Sequence, residues 1–336
     1  MLTTTEALDR VERAASAEDL FGPRTTDPDK RRQARRLYHA LASVLHPDVV
    51  GPGDTRARAA SANLTRLHHE WTHSTTVELR TKTAVYRIGE PFARGSVANL
   101  YEADGPCVVK VVRNPALNPL LHGEWQALRQ LERFTDTAQW LRPFYPRLLD
   151  TSGDVAKGSR AFTVLDPLRE GFVTLADVKR AYPDGLDGRD YAWMHRRLLK
   201  ALAGAHQAGL VHGAVTADNV LVHPEQHGIV LAGWSFAVEQ GQKLLATSQA
   251  IAYPPEVSGE LPVTAALDVH MAHTLMLDLL APKEKRQRAF AQGCRQDQPS
   301  RRPDAADLIS EYDELLEDLY GPRVFRPFAL PTKTGE

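Results

Sequence analysis

Leu210-Val211-His212-Gly213-Ala214-Val215-Thr216-Ala217-Asp218-Asn219-Val220-Leu221-Val222 is the stretch on which the reading of this chain turns. Two apolar runs, Leu210-Val211 and Val220-Leu221-Val222, frame a short polar loop. Ahead of it, Tyr191 to Ala208 carries Leu198, Leu199, Leu202 and Ala205 at helical spacing, so a long helix leads in. Behind it, Ile229-Val230-Leu231 reads as a buried strand. The only carboxylates close by are Asp218 and Glu225.

The 336 residues suffice for two domains, one small and one of ordinary enzyme size. With 43% hydrophobic and 25% charged residues, the chain falls in the soluble globular range. A net charge of -1 gives no global attraction to nucleic acid or to an anionic membrane. The cysteines, Cys107 and Cys294, are far apart, which suggests neither a zinc site nor a disulfide framework and fits a cytoplasmic setting. Met1 to Leu20 lacks an apolar core of signal-peptide type, and no stretch approaches the ~20 apolar residues of a membrane span.

Texture changes near Ser74. Residues 1–73 are polar, Ala-rich and helical in pattern, whereas Val77, Leu79, Val85, Tyr86 and Ile88 alternate as in a β-hairpin. In the first region Asp27 and Pro28 suit a helix start, and Leu37, Leu41, Val44 and Leu45 share a face. Lys30, Arg31, Arg32, Arg35 and Arg36 crowd the other side. Proline ends this helix at His46-Pro47-Asp48. After Gly51-Pro52-Gly53 a second helix stripes Ala60, Leu64, Leu67 and Trp71, so the two should pack as a hairpin.

A basic helix, His-Pro-Asp and a striped helix together resemble a J-domain over roughly residues 15–73, with Asp19-Leu20-Phe21-Gly22 near the family's entry segment. The resemblance implies a DnaK-type heat-shock chaperone as partner. Lys30, Arg31, Arg32, Arg35 and Arg36 would dock on its acidic surface, and His46, Pro47 and Asp48 would stimulate its ATPase. The plainer readings are a helix-end tripeptide and a solvated basic face. Without interleaved aromatics, nucleic acid is disfavoured.

The second region resembles a protein kinase, motif by motif. The opening stretch stands in the frame of H-R-D-L-K-P-x-N, with Gly213, Ala214 and Thr216 at the arginine, aspartate and lysine positions and Asn219 retained. Ala93 to Tyr101 takes the place of the glycine-rich loop but keeps only Gly95 of its three glycines. Val108-Val109-Lys110-Val111-Val112 is similar to V-A-I-K, and Glu124 stands where its helix partner would. Phe162 to Leu165 and Asp166-Pro167-Leu168 resemble a last small-lobe strand and hinge. Aligned on D-F-G, Gly233 replaces the aspartate, Trp234 the phenylalanine and Ser235 the glycine. Tyr253-Pro254-Pro255-Glu256, Asp268 and Asp297 to Pro303 are similar to structural signatures, which predicts a Glu256–Arg302 ion pair and an Asp268 hold on the His212-Gly213 backbone. Only thirty-four positions separate Asp268 from Arg302, little room for a substrate-docking helix.

The expected fold class is therefore α+β: an all-helical J-domain-like hairpin (1–73), then a two-lobed kinase-like domain (76–320; lobes 76–165 and 169–320) and a loosely ordered tail (321–336). The losses at Gly213, Ala214, Thr216 and Gly233 touch separate parts of phosphoryl transfer, so they predict a pseudokinase with no catalytic residue and no metal. Gly95, Lys110, Glu124 and Asn219 would be vestiges of nucleotide binding. No cofactor is required, and ATP held without magnesium-dependent turnover stays open. Expected partners are the chaperone and an unidentified protein client, with no membrane. The alternative is a divergent serine/threonine-type kinase or other ATP-dependent phosphotransferase using Lys110, Glu124 and Asn219.

Overall fold

The computed structural model describes residues 3–14, 16–22, 28–51, 54–73 and 77–331, without the side chains of residues 18, 28–31, 47, 48 and 73. The Asp27 cap, the Pro52-Gly53 loop, the Ser74 boundary and the side chains of Lys30, Arg31, Pro47 and Asp48 lie outside the described residues. The chain forms two compact units, one of residues 1–92 with 101–104 and one of residues 93–100 with 105–336. The Val77–Ile88 hairpin thus goes with the first unit, whereas the sequence pattern starts the second region at residue 76.

In the first unit α1 (Thr4–Arg13) begins at a reciprocal cap: the Thr3 side chain accepts from Glu6 N at 3.3 Å, and Glu6 accepts from Thr3 N at 2.9 Å. Then follow α2 (Ala17–Phe21), α3 (Pro28–Leu45), α4 (Pro47–Val50) and α5 (Thr55–His73). Helix α3 stops at Leu45 because the residue before proline is pushed out of helical geometry. Leu41 and Leu45 of α3 share a core with Ala60, Leu64, Leu67 and Trp71 of α5, and with Ala7, Leu8 and Val11 of α1. Packing of such a stripe, more than intrinsic propensity, holds short helices together. Strands β1 (Val77–Arg80) and β2 (Val85–Ile88) pair antiparallel, Val77 opposite Ile88.

A five-stranded sheet follows in the order β3 (Ala93–Arg94), β4 (Ala98–Glu102), β5 (Val108–Val112), β7 (Phe162–Leu165), β6 (Leu148–Thr151), all of it in the second unit except Tyr101 and Glu102 at the end of β4. Helix α6 (Asn118–Thr137) covers it, burying Leu121 and Trp125 with Val112 and Ala161. Beyond the sheet come β8 (Val173–Thr174), α7 (Leu175–Ala181), α8 (Gly188–Gln207), β9 (Leu210–Val211), β10 (Val220–His223), β11 (Gly228–Leu231) and β12 (Val238–Glu239). Strands β8, β10 and β11 form one small sheet, and β9 pairs with β12. Helices α9 (Pro255–Ser258), α10 (Ala265–Leu279), α11 (Lys285–Gly293) and α12 (Ala305–Tyr320) complete the unit. Helix α10 buries residues on all sides, from Leu267 through His273 to Leu279, which makes it the central post of a core shared with α8 and α12. Among the described residues no helix is long and apolar enough to cross a membrane.

One expectation is corrected here. Arg323 to Pro331 is not loose: Phe328 is buried against Tyr182 and Trp193, and Arg326 pairs with Asp190 at 2.6 Å. Composition suggested a polar, proline-broken end, but two aromatic anchors override it.

Candidate functional site

The loop after α8 is fixed from below by one carboxylate. Asp268, in the first turn of α10 and without solvent exposure, accepts from His212 N at 2.7 Å and from Gly213 N at 2.9 Å. His206 Nε2 lies 3.0 Å from the same Asp268 carboxylate. His212 donates from Nε2 to the Ala232 carbonyl at 2.8 Å and accepts at Nδ1 from Ala214 N at 3.2 Å. Burial lowers the pKa of His212 from its ordinary value, with Asp268 opposing, which matches a neutral ring bonded in that tautomer. Asn219 Nδ2 donates to the Ala214 carbonyl at 2.9 Å and so braces the loop locally.

Ala214, Gly213 and Gly233 are closely packed, and Thr216 less so. Ala214 is fully buried with Val97, Ala98, Leu120 and Phe236, and Leu117, Ala246 and Ile251 pack on the same cluster. Gly213 has φ +70°, and a Cβ there would lie 2.9 Å from the Phe236 carbonyl. Gly233 has φ +80°, and its Cβ would lie 2.2 Å from Asn219 Oδ1. Neither glycine could become a larger residue without moving its neighbours. Thr216 is half-buried, and its carbonyl accepts from Asn219 N at 3.1 Å.

Lys110 on β5 meets Glu124 on α6 in a largely buried ion pair, as the sequence spacing predicts. Ser235 closes the pair into a triangle: Lys110 donates to Ser235 Oγ at 2.8 Å, and Ser235 donates to Glu124 at 2.7 Å. Thr163 donates to Glu124 at 3.4 Å as its third side-chain partner and accepts from Trp125 Nε1 at 2.7 Å. The ammonium thus has neighbours that compensate its desolvation. In the β3–β4 hairpin, Gly95 N donates to the Ala98 carbonyl at 2.9 Å and Arg113 N donates to the Val97 carbonyl at 3.0 Å. That hairpin is bonded within its own unit, not open at its tip.

Arg302 is fully enclosed beside Glu256, with Nη2 3.0 Å from Oε2, and it also donates to the Gln296, Asp297 and Ala266 carbonyls. A small sheet with a Lys–Glu tie, a loop held by an aspartate on a central helix and this Glu–Arg clamp come together in one unit. The larger unit has the protein kinase fold. Among solved structures the chain is similar to that of vaccinia related kinase 3, with 21% identity and a TM-score of 0.58, over 77% of this chain and 95% of that one. No family model and no curated protein matches the sequence.

Lys110 and Glu124 thus pair between β5 and α6, Gly213, Ala214, Thr216, Asn219 and Gly233 lie in or against the loop after β9, and Gly95 lies in the β3–β4 hairpin. Asp268 holds that loop, and Glu256 pairs with Arg302. Ser235, Val97, Leu120 and Phe236 also shape the site; sequence reading assigned them no role in it, because their contacts join residues far apart in the chain. Among the described residues no group of three or more His, Cys, Asp or Glu side chains is placed to hold a metal ion. On the helical unit, Arg32, Arg35, Arg36 and His46 are exposed.

Proposed function

We propose that the kinase-like unit is a binding module without phosphoryl transfer, joined to a J-domain-like helical unit that recruits and stimulates a DnaK-type chaperone for a protein client. The domain limits 1–73, 76–320 and 321–336, and a cytoplasmic setting suited to two free cysteines, belong to this reading.

One observation carries the first half: Ala214 is sealed among Val97, Ala98, Leu120 and Phe236. Phosphoryl transfer needs a carboxylate there to orient the attacking hydroxyl, a second carboxylate for metal, and free amides over the phosphates. Magnesium-ATP, which the fold implies, does not fit at its phosphate end. Alanine and glycine stand at the two carboxylate positions, the Gly95 amide is engaged by Ala98, and Ser235 shares Lys110. Incubation with labelled ATP and magnesium tests this half. No label should pass to the protein or to a generic substrate, and stoichiometric transfer would sink it.

The second half is supported by the exposed guanidiniums of Arg35 and Arg36, which make no ion pair among the described residues, and by a helix that stops just before His46-Pro47-Asp48. Its test is chaperone ATPase with wild type and His46→Gln. Stimulation should appear with the first and vanish with the second; equal rates would refute the assignment. The intact Lys110–Glu124 pair favours a second reading, a divergent phosphotransferase, which predicts magnesium-dependent transfer lost in Lys110→Met.

A further inference from the structure

Residues 322–331 leave α12 through Gly321, whose φ of +75° turns the chain sharply. They contain no helix or strand and make no backbone–backbone hydrogen bond among the described residues. Side chains hold them instead. Phe328 is 5% exposed, stacking on Tyr182 at 5.7 Å and meeting Trp193 at 6.2 Å. Phe325 stacks on His227 at 4.6 Å, and His227 stacks in turn on Trp193 at 4.2 Å. Between the two phenylalanines, Arg326 reaches Asp190 at 2.6 Å and Asp187 at 3.8 Å. The Tyr182 hydroxyl donates to the Ala329 carbonyl at 2.8 Å.

These contacts define a groove between α7, the first half of α8 and the β10–β11 turn. It has an aromatic floor, and the Asp187–Asp190 pair sits at its edge. Its fit to the tail is incomplete: Phe325 stays 66% exposed and Val324 82% exposed. Trp193, itself 7% exposed, has an indole N–H with no hydrogen-bond partner.

We propose that this groove is a docking site for an extended protein segment with two aromatic side chains three positions apart and an arginine after the first, and that residues 323–330 are its resident occupant, releasable from the fold. The seated sequence, Phe325-Arg326-Pro327-Phe328, specifies the chemistry of the partner: aromatic rings for Tyr182, Trp193 and His227, a guanidinium for Asp187 and Asp190. A tether with no backbone–backbone bonds lifts without breaking secondary structure, so release is a local opening. The site is independent of nucleotide turnover in the cleft and of chaperone binding by the helical unit.

The test is fluorescence-anisotropy titration of a labelled peptide of residues 322–331 against three proteins: the full chain, the chain ending at Gly321, and the full chain carrying Phe328→Ala. The tethered tail acts as a high effective concentration of competitor, so the two opened proteins should bind the peptide on the order of tenfold more tightly than the full chain. Adding Asp190→Lys to either opened protein should abolish binding. Equal, weak binding to all three proteins, or binding indifferent to Asp190→Lys, would overturn the proposal. Phe328→Ala leaves the rest of the chain in place, so it decides the matter even where the shortened chain fails to fold.

Discussion

Placing aspartate at Ala214 and at Gly233 should destabilise the protein without giving it catalysis. Ala214 has no exposure, and its neighbours Val97, Ala98, Leu120 and Phe236 offer no side-chain donors. An ionised carboxylate stranded there costs about 3–5 kcal/mol. At Gly233 the left-handed φ of +80° adds about 1–2 kcal/mol for any side chain, before the overlap with Asn219 is relieved. Asn219 touches both sites, through the Ala214 carbonyl and the space above Gly233, so the two effects will not simply add. Together they reach about half of the 5–15 kcal/mol that ordinarily holds a domain folded. Urea unfolding followed by tryptophan fluorescence measures each variant. The pH dependence identifies the cause. An aspartate buried at 214 has its folded pKa raised above the unfolded value of about 3.9, so its penalty relative to the parent is full at pH 7.5 and shrinks as pH falls through the raised pKa. Variants within about 1 kcal/mol of the parent, with labelled phosphate transferred in magnesium, would refute the reasoning.

Other consequences follow from buried groups elsewhere. Glu256→Ala should cost about 3–5 kcal/mol in urea unfolding, because Arg302 would keep its charge in an enclosed site; a loss under about 1 kcal/mol would show that the clamp matters little. The His195–His273 pair should make stability acid-sensitive. His273 donates from Nδ1 to the Val269 carbonyl at 2.7 Å, its Nε2 lies 3.3 Å from His195 Nε2, and burial favours the neutral form of both rings. Burial pushes His273 from 6.5 down to about 4. The unfolded chain binds the proton first, so stability is full above pH 6.5 and falls as pH drops toward 4, by about 3 kcal/mol from this residue. A flat profile over that window, or one unchanged in His273→Leu, would contradict the assignment. Asn219→Ala should cost about 1 kcal/mol by removing its bond to the Ala214 carbonyl, checked by the same unfolding assay.

The kinase-like half was legible because its motifs are local and rigid in meaning. A lysine on a buried strand, a glutamate one helix later, and Glu256 with Arg302 each announce a partner through spacing, and each partner is in place. The apolar plug over Ala214 was not legible. Val97, Leu120 and Phe236 look like ordinary core residues in sequence and acquire meaning only when the hairpin, α6 and the loop after β11 converge. Ser235 was seen only as a missing glycine, although its hydroxyl completes the Lys110–Glu124 triangle. Order in the tail was not legible because Pro322, Pro327 and Pro331 outweighed Phe325 and Phe328; two aromatics three apart, beside Val324 and Leu330, were the available signal. In the helical half the stripes of α3 and α5 were plain, but nothing local indicated that α1 adds Ala7, Leu8 and Val11 to the same core.

The proposal of a kinase fold without phosphoryl transfer is open to one direct measurement. Thermal unfolding of the intact chain, with and without ATP and with and without magnesium, addresses it most directly, since a ligand that binds the folded state raises the melting temperature by mass action. No magnesium-dependent rise is predicted, because Ala214 and Gly233 carry no carboxylate and Ala214 lies beneath apolar side chains. A clear rise in ATP that requires magnesium and disappears in Lys110→Met would contradict it.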